Sequence, residues 1–253
     1  MQAYPELRPY ADRPELAIVS AVFVLLFALP SFVALMRWLG ARRGVAALVA
    51  LGVFATAVET IAVETGFPYG RFSYGQKIGG KIFGAVPWTV PFAWTPLLLA
   101  AFALAWRWTH STTRGAQPPH TRQAQRQNSI TLIIGSALLV TALDGVLDPG
   151  AVAQNFWKYQ HPSAYYGVPL SNFAGWILSG ALGAMILLLF VERAAAAGNA
   201  TAGRFAEPPA GLLGSAFLIL VFWTSVCFWS ALWLPALLGV ILLGVISPAL
   251  FQS

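Results

Sequence analysis

The amino-acid sequence predicts an all-α polytopic membrane protein, a transmembrane helical bundle of about seven spans. Of the 253 residues, 58% are hydrophobic and only 9% are charged, whereas a soluble globular domain carries about 25% charged residues. Apolar runs of about 20 residues recur, the length at which a helix crosses a hydrocarbon core of about 30 Å. The runs do not alternate in polarity with period two, which disfavours a membrane β-barrel. We expect one integral membrane domain over residues 1–253.

The first three spans are predicted at residues 16–36, 45–63 and 91–108. The polar segment 1–15 is long and acidic on balance, which is not typical of a signal peptide, so the first span is expected to be retained. A loop at 64–90 separates the second span from the third, which has Arg107 near its end. The polar linker 110–129 has the composition of a solvated loop.

Spans four and five are predicted at residues 130–147 and 171–191, on either side of a loop at 148–170. A loop rich in small residues follows at 192–209. Residues 210–250 contain no charged side chain. This last run is long enough for an apolar hairpin of two short spans that turns near residues 230–235.

Basic residues predict the orientation of the spans. Nine of the 15 lysines and arginines lie in loops after odd-numbered spans, and the other six lie on the opposite side. The side richer in basic residues is expected to be cytoplasmic. This predicts a multi-pass protein of the cell (inner) membrane with its N-terminus outside and its C-terminus in the cytoplasm. The same distribution accounts for the net charge of +6, so no nucleic-acid partner is expected.

Cysteine and histidine usage excludes several kinds of site. Cys227 is the single cysteine of the chain, so an internal disulfide and a thiolate metal cluster are both excluded. The three histidines, His110, His120 and His161, are far apart and form no HxxxH or HxxHH pattern. A histidine-rich di-iron site therefore has no ligands here.

Two segments of the chain echo each other. Residues 56–59 (TAVE) match residues 141–144 (TALD), residues 86–89 (VPWT) match 168–171 (VPLS), and Trp94 matches Trp176. The predicted repeat units are residues 45–108 and 130–192, each a span, a long loop and a span in the same direction. Such repeats imply a two-fold axis along the membrane normal with a site between the halves. The alternative is that these short matches arise by chance in apolar sequence.

Four acidic residues lie near the ends of the two spans that open the repeat units, namely Glu59, Glu64, Asp144 and Asp148. An aspartate at the centre of a span costs about 2.5–3.5 kcal/mol on insertion scales, so acids at matching places indicate a function. Asp144 and Asp148 share a helical stripe, and Pro149 is expected to end the helix at Asp148. Glu59 and Asp144 are predicted to be the deeper acids, Glu64 and Asp148 the shallower.

A structural role is the alternative for these acids. Each would then pair with Arg71, Lys77 or Lys81 of the first long loop, or accept a hydrogen bond from a loop. Function is favoured for Asp144 and Glu59, because burial in apolar surroundings favours the protonated form of a carboxyl group. That is the form a general acid needs.

The two long loops contribute aromatic and amide side chains. An aromatic belt at the membrane interface is the simpler explanation, and a cleft whose π faces stabilise a cationic intermediate is the functional one. Asn172, at the start of the fifth span, is a candidate to orient water or an acid. The predicted substrate-binding residues are Tyr69, Arg71, Tyr74, Trp88, Trp157, Tyr165, Tyr166 and Asn172.

The chain resembles the membrane carotenoid hydratases, the group of the γ-carotene and bisanhydrobacterioruberin hydratases, in four segments: ETGFPYGRFSYG (64–75), VPWTVPFAW (86–94), DGVLDPGAVAQNFW (144–157) and YYGVPLSNFAGW (165–176). The resemblance covers roughly residues 45–192. It implies a hydro-lyase that adds water across the terminal double bond of an acyclic ψ end group, as in lycopene, and yields a tertiary alcohol. The expected partners are an acyclic C40 or C50 carotenoid, water and the bilayer. No cofactor or metal is expected, and the oligomeric state is left open.

The residue types suit this chemistry. An acid must protonate the less substituted alkene carbon, and water then attacks the tertiary cation with help from a base. Two carboxyl groups in different environments can divide these roles. We expect Asp144 or Glu59 to be the acid, and Asp148 or Glu64 to hold or deprotonate the water.

Two other functions stay open on the sequence. An intramembrane prenyltransferase, or another isoprenoid-lipid enzyme, would use Asp144 and Asp148 with Mg²⁺, and Arg71, Lys77 or Lys81 for a diphosphate. The acids are sparser than such a site prefers. A membrane transporter would also have paired repeats and carboxyl groups within its spans.

Overall fold

The computed structural model describes residues 15–111, 122–196 and 207–251. The segment 1–14, half of the polar linker and part of the 192–209 loop lie outside the described residues. So do four arginines that were counted for the orientation, Arg8, Arg13, Arg114 and Arg204.

Within these described residues, seven helices form the bundle, and each is long and apolar enough to cross a membrane. They are α1 (Glu15–Leu39), α2 (Ala41–Thr65), α3 (Val90–Ser111), α4 (Arg122–Ala153), α5 (Leu170–Ala196), α6 (Gly211–Trp229) and α7 (Trp233–Phe251). The predicted all-α transmembrane bundle is therefore confirmed, and within it α6 and α7 pack against each other. Many large apolar side chains on the helices other than α3 are exposed, as expected for surfaces that face lipid.

Helix α3 lies at the centre of the bundle and packs against α1, α2, α4 and α6. Its residues 97–106 are all buried. A helix that is apolar on every side, as α3 is here, favours a fully buried position. These four helices surround α3, and α7 packs against α4 and α6.

Helix α4 does not end at Asp148, as the sequence predicted, but continues to Ala153 with Pro149 inside it. A proline within a helix has no N–H to donate to the carbonyl four residues earlier, here that of Gly145. The hydroxyl of Tyr165 donates to this carbonyl at 2.8 Å. The prediction was wrong because a side chain from the following loop replaces the hydrogen bond that the proline removes.

Short strands, which the sequence did not predict, lie in the two long loops. Strand β1 (Phe72–Tyr74) pairs in antiparallel fashion with β4 (Trp157–Tyr159), and β2 (Lys81–Ile82) pairs with β3 (Val86–Pro87). The β1–β4 pair joins the loop of the first predicted unit to the loop of the second. We call the end of the bundle where it lies the loop end.

The β1–β4 pairing is reciprocal. Phe72 pairs with Tyr159 and Tyr74 with Trp157, and residues 72–74 precede residues 157–159 by 85 positions, the spacing that also separates Glu59 from Asp144. A two-fold relation between the two units would produce this pattern. It supports the tandem repeat, which stays a prediction.

Close packing against α5 positions two aromatic residues, Trp94 of α3 and Tyr69 of the first long loop. A Cβ on Gly183 would lie 2.6 Å from the Trp94 ring, and one on Gly175 would lie 2.9 Å from the Pro68 backbone, next to Tyr69. Only glycine allows so close an approach at these positions. Small residues commonly serve this purpose between membrane helices.

Candidate active site

A cavity of about 320 Å³ lies inside the loop end of the bundle. Helices α1 to α6 and both long loops contribute to its lining. Most of the lining is apolar and aromatic, with a small group of polar side chains among it. A few convergent polar groups in an apolar pocket are typical of a ligand site.

Three carboxyl groups line this cavity. Glu59 of α2 and Asp144 and Asp148 of α4 all contribute to the lining, and their side chains are buried, with 8%, 0% and 3% of their surface exposed. Asp144 and Asp148 are one helical turn apart on α4, so they share a face. Glu59 reaches the cavity from α2, so the tertiary structure brings together acids of both predicted units.

Asn172 links the two aspartates. Its Nδ2 donates to Asp144 Oδ2 at 2.8 Å and to Asp148 Oδ2 at 2.5 Å. The side chain is buried at the start of α5, where the backbone N–H of Asn172 donates to Pro169 O at 3.0 Å. Both hydrogens of one amide nitrogen therefore hold the two carboxyl groups in a fixed relation.

Two tyrosines of the β1–β4 pair donate to the acids from the loop side. Tyr159 Oη donates to Asp148 Oδ2 and Tyr74 Oη donates to Glu59 Oε2, both at 2.8 Å. Alternate residues of a strand lie on one face, and Phe72, Tyr74, Trp157 and Tyr159 all line the cavity. The strand pair thus forms the roof of the cavity.

The roof tyrosines stay protonated. Burial raises the pKa of Tyr74 well above its usual value, and the neighbouring Glu59 raises it further. Burial likewise raises the pKa of Tyr159, followed by the charge of Asp148. Each hydroxyl therefore remains a hydrogen-bond donor to its carboxyl group across the physiological pH range.

Asp144 differs from Asp148 in its hydrogen bonds. Asp148 Oδ2 accepts from both Tyr159 and Asn172. The Oδ1 atom of Asp144 is buried and has no hydrogen-bond partner among the described residues. A buried carboxylate oxygen without a donor is costly, whereas a protonated oxygen at that place would carry a proton into an apolar cavity.

Aromatic rings form the wall next to the acids. The rings of Trp94 and Trp176 stack with their centroids 6.2 Å apart and their planes 21° apart. The ring of Tyr69 lies 6.1 Å from Trp176, and its hydroxyl donates to Ser179 Oγ at 2.9 Å. Burial raises the pKa of Tyr69 well above its usual value, followed by the charge of Glu59, so this ring is neutral as well. The wall therefore offers three π systems.

Five of the predicted site residues lie outside the cavity lining: Glu64, Arg71, Trp88, Tyr165 and Tyr166. The side chains of Glu64 and Arg71 are exposed. Trp88 is 38% exposed and contacts Phe92, which does line the cavity. Tyr165 donates to the Gly145 carbonyl, and the Tyr166 hydroxyl accepts from the backbone of Leu234 at 3.4 Å. The structure brings the other seven together.

The first long loop does not neutralise the three cavity acids. Lys77 Nζ donates to Gln154 O at 3.1 Å, and Lys81 Nζ donates to Tyr74 O at 2.9 Å. Arg71 is exposed and lies outside the lining. For Glu59 and Asp148, the predicted alternative of a hydrogen bond from a loop does hold, since both acids accept from the roof tyrosines.

Sequence reasoning missed Tyr159 as a site residue. The signal was present, because Tyr159 follows Tyr74 by 85 positions, the spacing of Glu59 and Asp144. It also missed the lining that α1 and α6 contribute, such as Phe27 and Phe222. These residues belong to apolar runs without a motif, so no local signal marks them.

Comparisons with known proteins point to one family. A family model described as "Carotenoid biosynthesis protein" matches residues 19–246. The chain is 38% identical over 154 residues to a protein of Haloarcula japonica named "Bisanhydrobacterioruberin hydratase". The match covers 60% of this chain and 47% of that relative, so it spans about half of the relative's length. No solved structure matches the chain.

Proposed function

This chain belongs to the carotenoid biosynthesis protein family, and from that membership and its site we propose that it is a carotenoid hydratase. The reaction adds water across the terminal double bond of an acyclic ψ end group and gives a tertiary alcohol. The observation that carries the proposal is the pair Asp144 and Asp148, held by one amide in an apolar cavity but hydrogen-bonded differently. The name of the relative from Haloarcula japonica supports it.

Asp144 is the general acid of the proposal. Its Oδ2 is fixed by Asn172, and its Oδ1 has no partner among the described residues. Apolar surroundings favour the neutral form of a carboxyl group. The Oδ1–H proton is transferred to the less substituted alkene carbon, whose π electrons form the new C–H bond and leave a tertiary cation.

The aromatic wall stabilises this cation. Trp94, Trp176 and Tyr69 present π faces or edges around the cavity. A cation over an aromatic face gains about 0.5–2 kcal/mol, with the larger value where water is excluded. The cation needs this help because the surrounding lining is apolar.

Asp148 is the general base. Two donated hydrogen bonds, from Tyr159 and Asn172, stabilise its ionised form. Water forms the new C–O bond with the cation, and the O–H bond that breaks gives its proton to Asp148. The cycle closes when a proton returns from Asp148 to Asp144, whose carboxyl groups meet at the same Asn172 nitrogen. The net reaction converts the alkene and one water molecule into the alcohol.

Glu59 is the third acid of the site. It accepts one hydrogen bond, from Tyr74, and lines the same cavity. In the proposal it helps to hold the attacking water. Glu64 takes no part, because its side chain is exposed and lies outside the lining.

The substrate is an acyclic carotenoid dissolved in the bilayer, and no redox cofactor is needed because hydration of an alkene involves no net transfer of electrons. The distribution of basic residues supports placing the loop end, and with it the site, on the outer side of the cell membrane. The N-terminus would then be outside and the C-terminus in the cytoplasm.

A prenyltransferase fits the site less well. Its diphosphate would need basic side chains, and the described lining of the cavity contains neither lysine nor arginine. The transporter alternative is tested by flux of carotenoid between vesicles without chemical change. Neither alternative uses the different hydrogen bonding of Asp144 and Asp148.

Expression in a lycopene-producing host tests the proposal. The expected product is a pigment heavier by one water with an unchanged visible spectrum, because the terminal double bond is not conjugated with the chromophore. The variant Asp144→Asn serves as the matched control. Unaltered lycopene beside well-folded wild-type protein would overturn the proposal.

A further inference from the structure

The cavity has one wall made of the first and sixth helices. Its lining residues there include Val19, Phe23 and Phe27 of α1, and Ile219, Phe222 and Trp223 of α6. All six side chains are apolar or aromatic. None of them belongs to the motifs that carry the family resemblance, and the proposed reaction does not use them.

Three of these residues lie both in the cavity and at the surface of the bundle. Val19, Phe23 and Phe222 are 47%, 48% and 39% exposed, although each lines the cavity. The other described lining residues are buried or half-buried. The cavity therefore opens sideways, between α1 and α6, while the β1–β4 pair covers it at the loop end.

The opening is confined to one half of the α1–α6 contact. In the other half Ser31 Oγ donates to Leu212 O at 2.8 Å, and Ser31 N donates to Ser215 Oγ at 3.0 Å. A Cβ on Gly214 would lie 3.1 Å from Pro30 Cβ, so the backbones approach closely there. The two helices are thus joined below the cavity and separated by side chains beside it.

Aromatic rings form a continuous track from the cavity to the surface. The centroids of Phe156 and Trp223 are 5.7 Å apart, and those of Trp223 and Phe222 are 5.1 Å apart. The Phe222 ring lies 6.0 Å from Phe27, which lies 5.7 Å from Phe23. These separations are in the range of favourable ring contacts, and the same ring faces and edges suit a conjugated hydrocarbon.

The size of the cavity limits what it holds. Pockets for drug-sized ligands have volumes of about 300–1,000 Å³, so a cavity of about 320 Å³ takes an end group and not a whole carotenoid. The remaining chain must leave the cavity, and water is an unfavourable place for it at about 0.8 kcal/mol per exposed CH₂. The sideways opening leads to lipid-facing surface instead.

We propose that the groove between α1 and α6, formed by Phe23, Phe27, Phe222 and Trp223, binds the polyene chain of the substrate while one end group occupies the cavity. The inference rests on the proposed function for the identity of the occupant. The groove admits the carotenoid from the bilayer and selects for a long, thin, conjugated chain. One end reacts in each binding event.

A first experiment blocks the groove. Ser20 also lines the cavity on α1, and the variant Ser20→Trp fills the space beside Phe23. Ile18→Trp is the matched control, since Ile18 is 68% exposed and does not line the cavity. We expect Ser20→Trp to lower the kcat/KM for the carotenoid about tenfold or more and Ile18→Trp to stay within about twofold.

A short acyclic terpene with the same end group separates the groove from the chemistry. It does not extend into the groove, so Ser20→Trp should lower its kcat/KM at least about fivefold less than it lowers the kcat/KM for the carotenoid. An equal loss for the carotenoid and the terpene would overturn the proposed groove, because the substitution would then act on the reacting end or on folding.

A second experiment needs no reaction. A diazirine-bearing phenylalanine is placed at position 23 or 222 in Asp144→Asn protein, and at position 18 or 221 as lipid-facing controls, since Ile18 and Val221 are exposed and lie outside the lining. Illumination with lycopene in vesicles should give covalent pigment at 23 and 222 at least about fivefold above the controls, the ratio that about 1 kcal/mol of preferential binding produces. Equal labelling at all four positions would overturn the groove even if hydration were established. Selective labelling would support it even if the wild type hydrated neither substrate.

Discussion

The Oδ2 atoms of Asp144 and Asp148 accept hydrogen bonds from the same nitrogen, Nδ2 of Asn172, but only Asp148 also accepts one from a tyrosine. Two carboxyl groups that are one helical turn apart in the sequence therefore have different environments in the fold. Such a difference lets one group act as an acid and the other as a base. Asn172 and Tyr159, which create it, come from α5 and from the second long loop.

Loss of the acid should abolish hydration without unfolding the protein. For Asp144→Asn we expect activity to fall by a factor of about 10²–10⁴, the usual contribution of a general acid. The near-identical shape of asparagine keeps an oxygen that accepts from Asn172. Pigment analysis measures the activity, and size-exclusion chromatography checks the fold. Glu64→Gln, a change of the exposed acid, should retain wild-type activity, and a comparable loss in both variants would contradict the assignment.

The two roof tyrosines offer a matched pair. Tyr159→Phe removes one of the two hydrogen bonds that Asp148 Oδ2 accepts, whereas Tyr74→Phe removes the bond to Glu59. A hydrogen bond to a charged group contributes about 1.5–3 kcal/mol, so Tyr159→Phe should lower kcat by about tenfold or more. We expect a smaller loss for Tyr74→Phe, because in the proposed mechanism Glu59 only assists in holding water. Steady-state kinetics on both variants would refute the division of roles if Tyr74→Phe were the more damaging.

The contact between Tyr165 and Gly145 should stabilise the end of α4 rather than take part in the reaction. Tyr165→Phe leaves the Gly145 carbonyl without its donor, at a cost of about 1–3 kcal/mol for a buried group. Pro149→Ala restores a backbone N–H at the position four residues later, so Tyr165→Phe should cost much less in that background. Thermal unfolding in detergent of the wild type, both single variants and the double variant measures the coupling. Additive losses would show that the hydroxyl does not replace the hydrogen bond missing at Pro149.

The tyrosine pKa values predict how stability depends on alkaline pH. Burial raises the pKa of Tyr74 and of Tyr159 above the unfolded value of about 10. The folded state therefore holds their protons more tightly, and this contribution to stability is fully present below pH about 10 and is lost as the pH rises through the raised values. Unfolding free energies measured between neutral and strongly alkaline pH should fall less steeply in the Tyr74→Phe, Tyr159→Phe double variant. An identical pH dependence would mean that neither hydroxyl is held as a buried donor.

A carotenoid with two acyclic ends should be hydrated in two separate binding events. In the proposed binding mode the cavity accepts one end, and the chain must leave and turn before the other end enters. The mono-alcohol should therefore accumulate before the diol in a time course, and added lycopene should compete with the second step. Chromatography of the pigments resolves the three species. Formation of the diol without free mono-alcohol would argue that the chain is not released between the two reactions.

Hydropathy was sufficient for the spans, because each helix must present about 20 apolar residues to cross the bilayer, whatever its neighbours are. The acids were also visible in the sequence, since a carboxyl group in an apolar run is costly and stands out. The end of α4 was not predictable in this way. Pro149 is a local signal for a helix end, and Tyr165, which lies 16 positions later, cancels it by a contact that only the fold makes.

The amino-acid sequence by itself determined the membrane class, the seven spans and the family. It also identified Glu59, Asp144 and Asp148 as candidate site residues. The tertiary structure decided which side chains meet. In the fold, Tyr159 and Asn172 donate hydrogen bonds to Asp148, and Glu64 lies outside the cavity. Helices α1 and α6 form the side on which the cavity opens. The physical reason is that lipid-facing and cavity-facing residues of a membrane helix are equally apolar, so composition does not separate Phe222 from Val221. Only the packing of one helix against another does so.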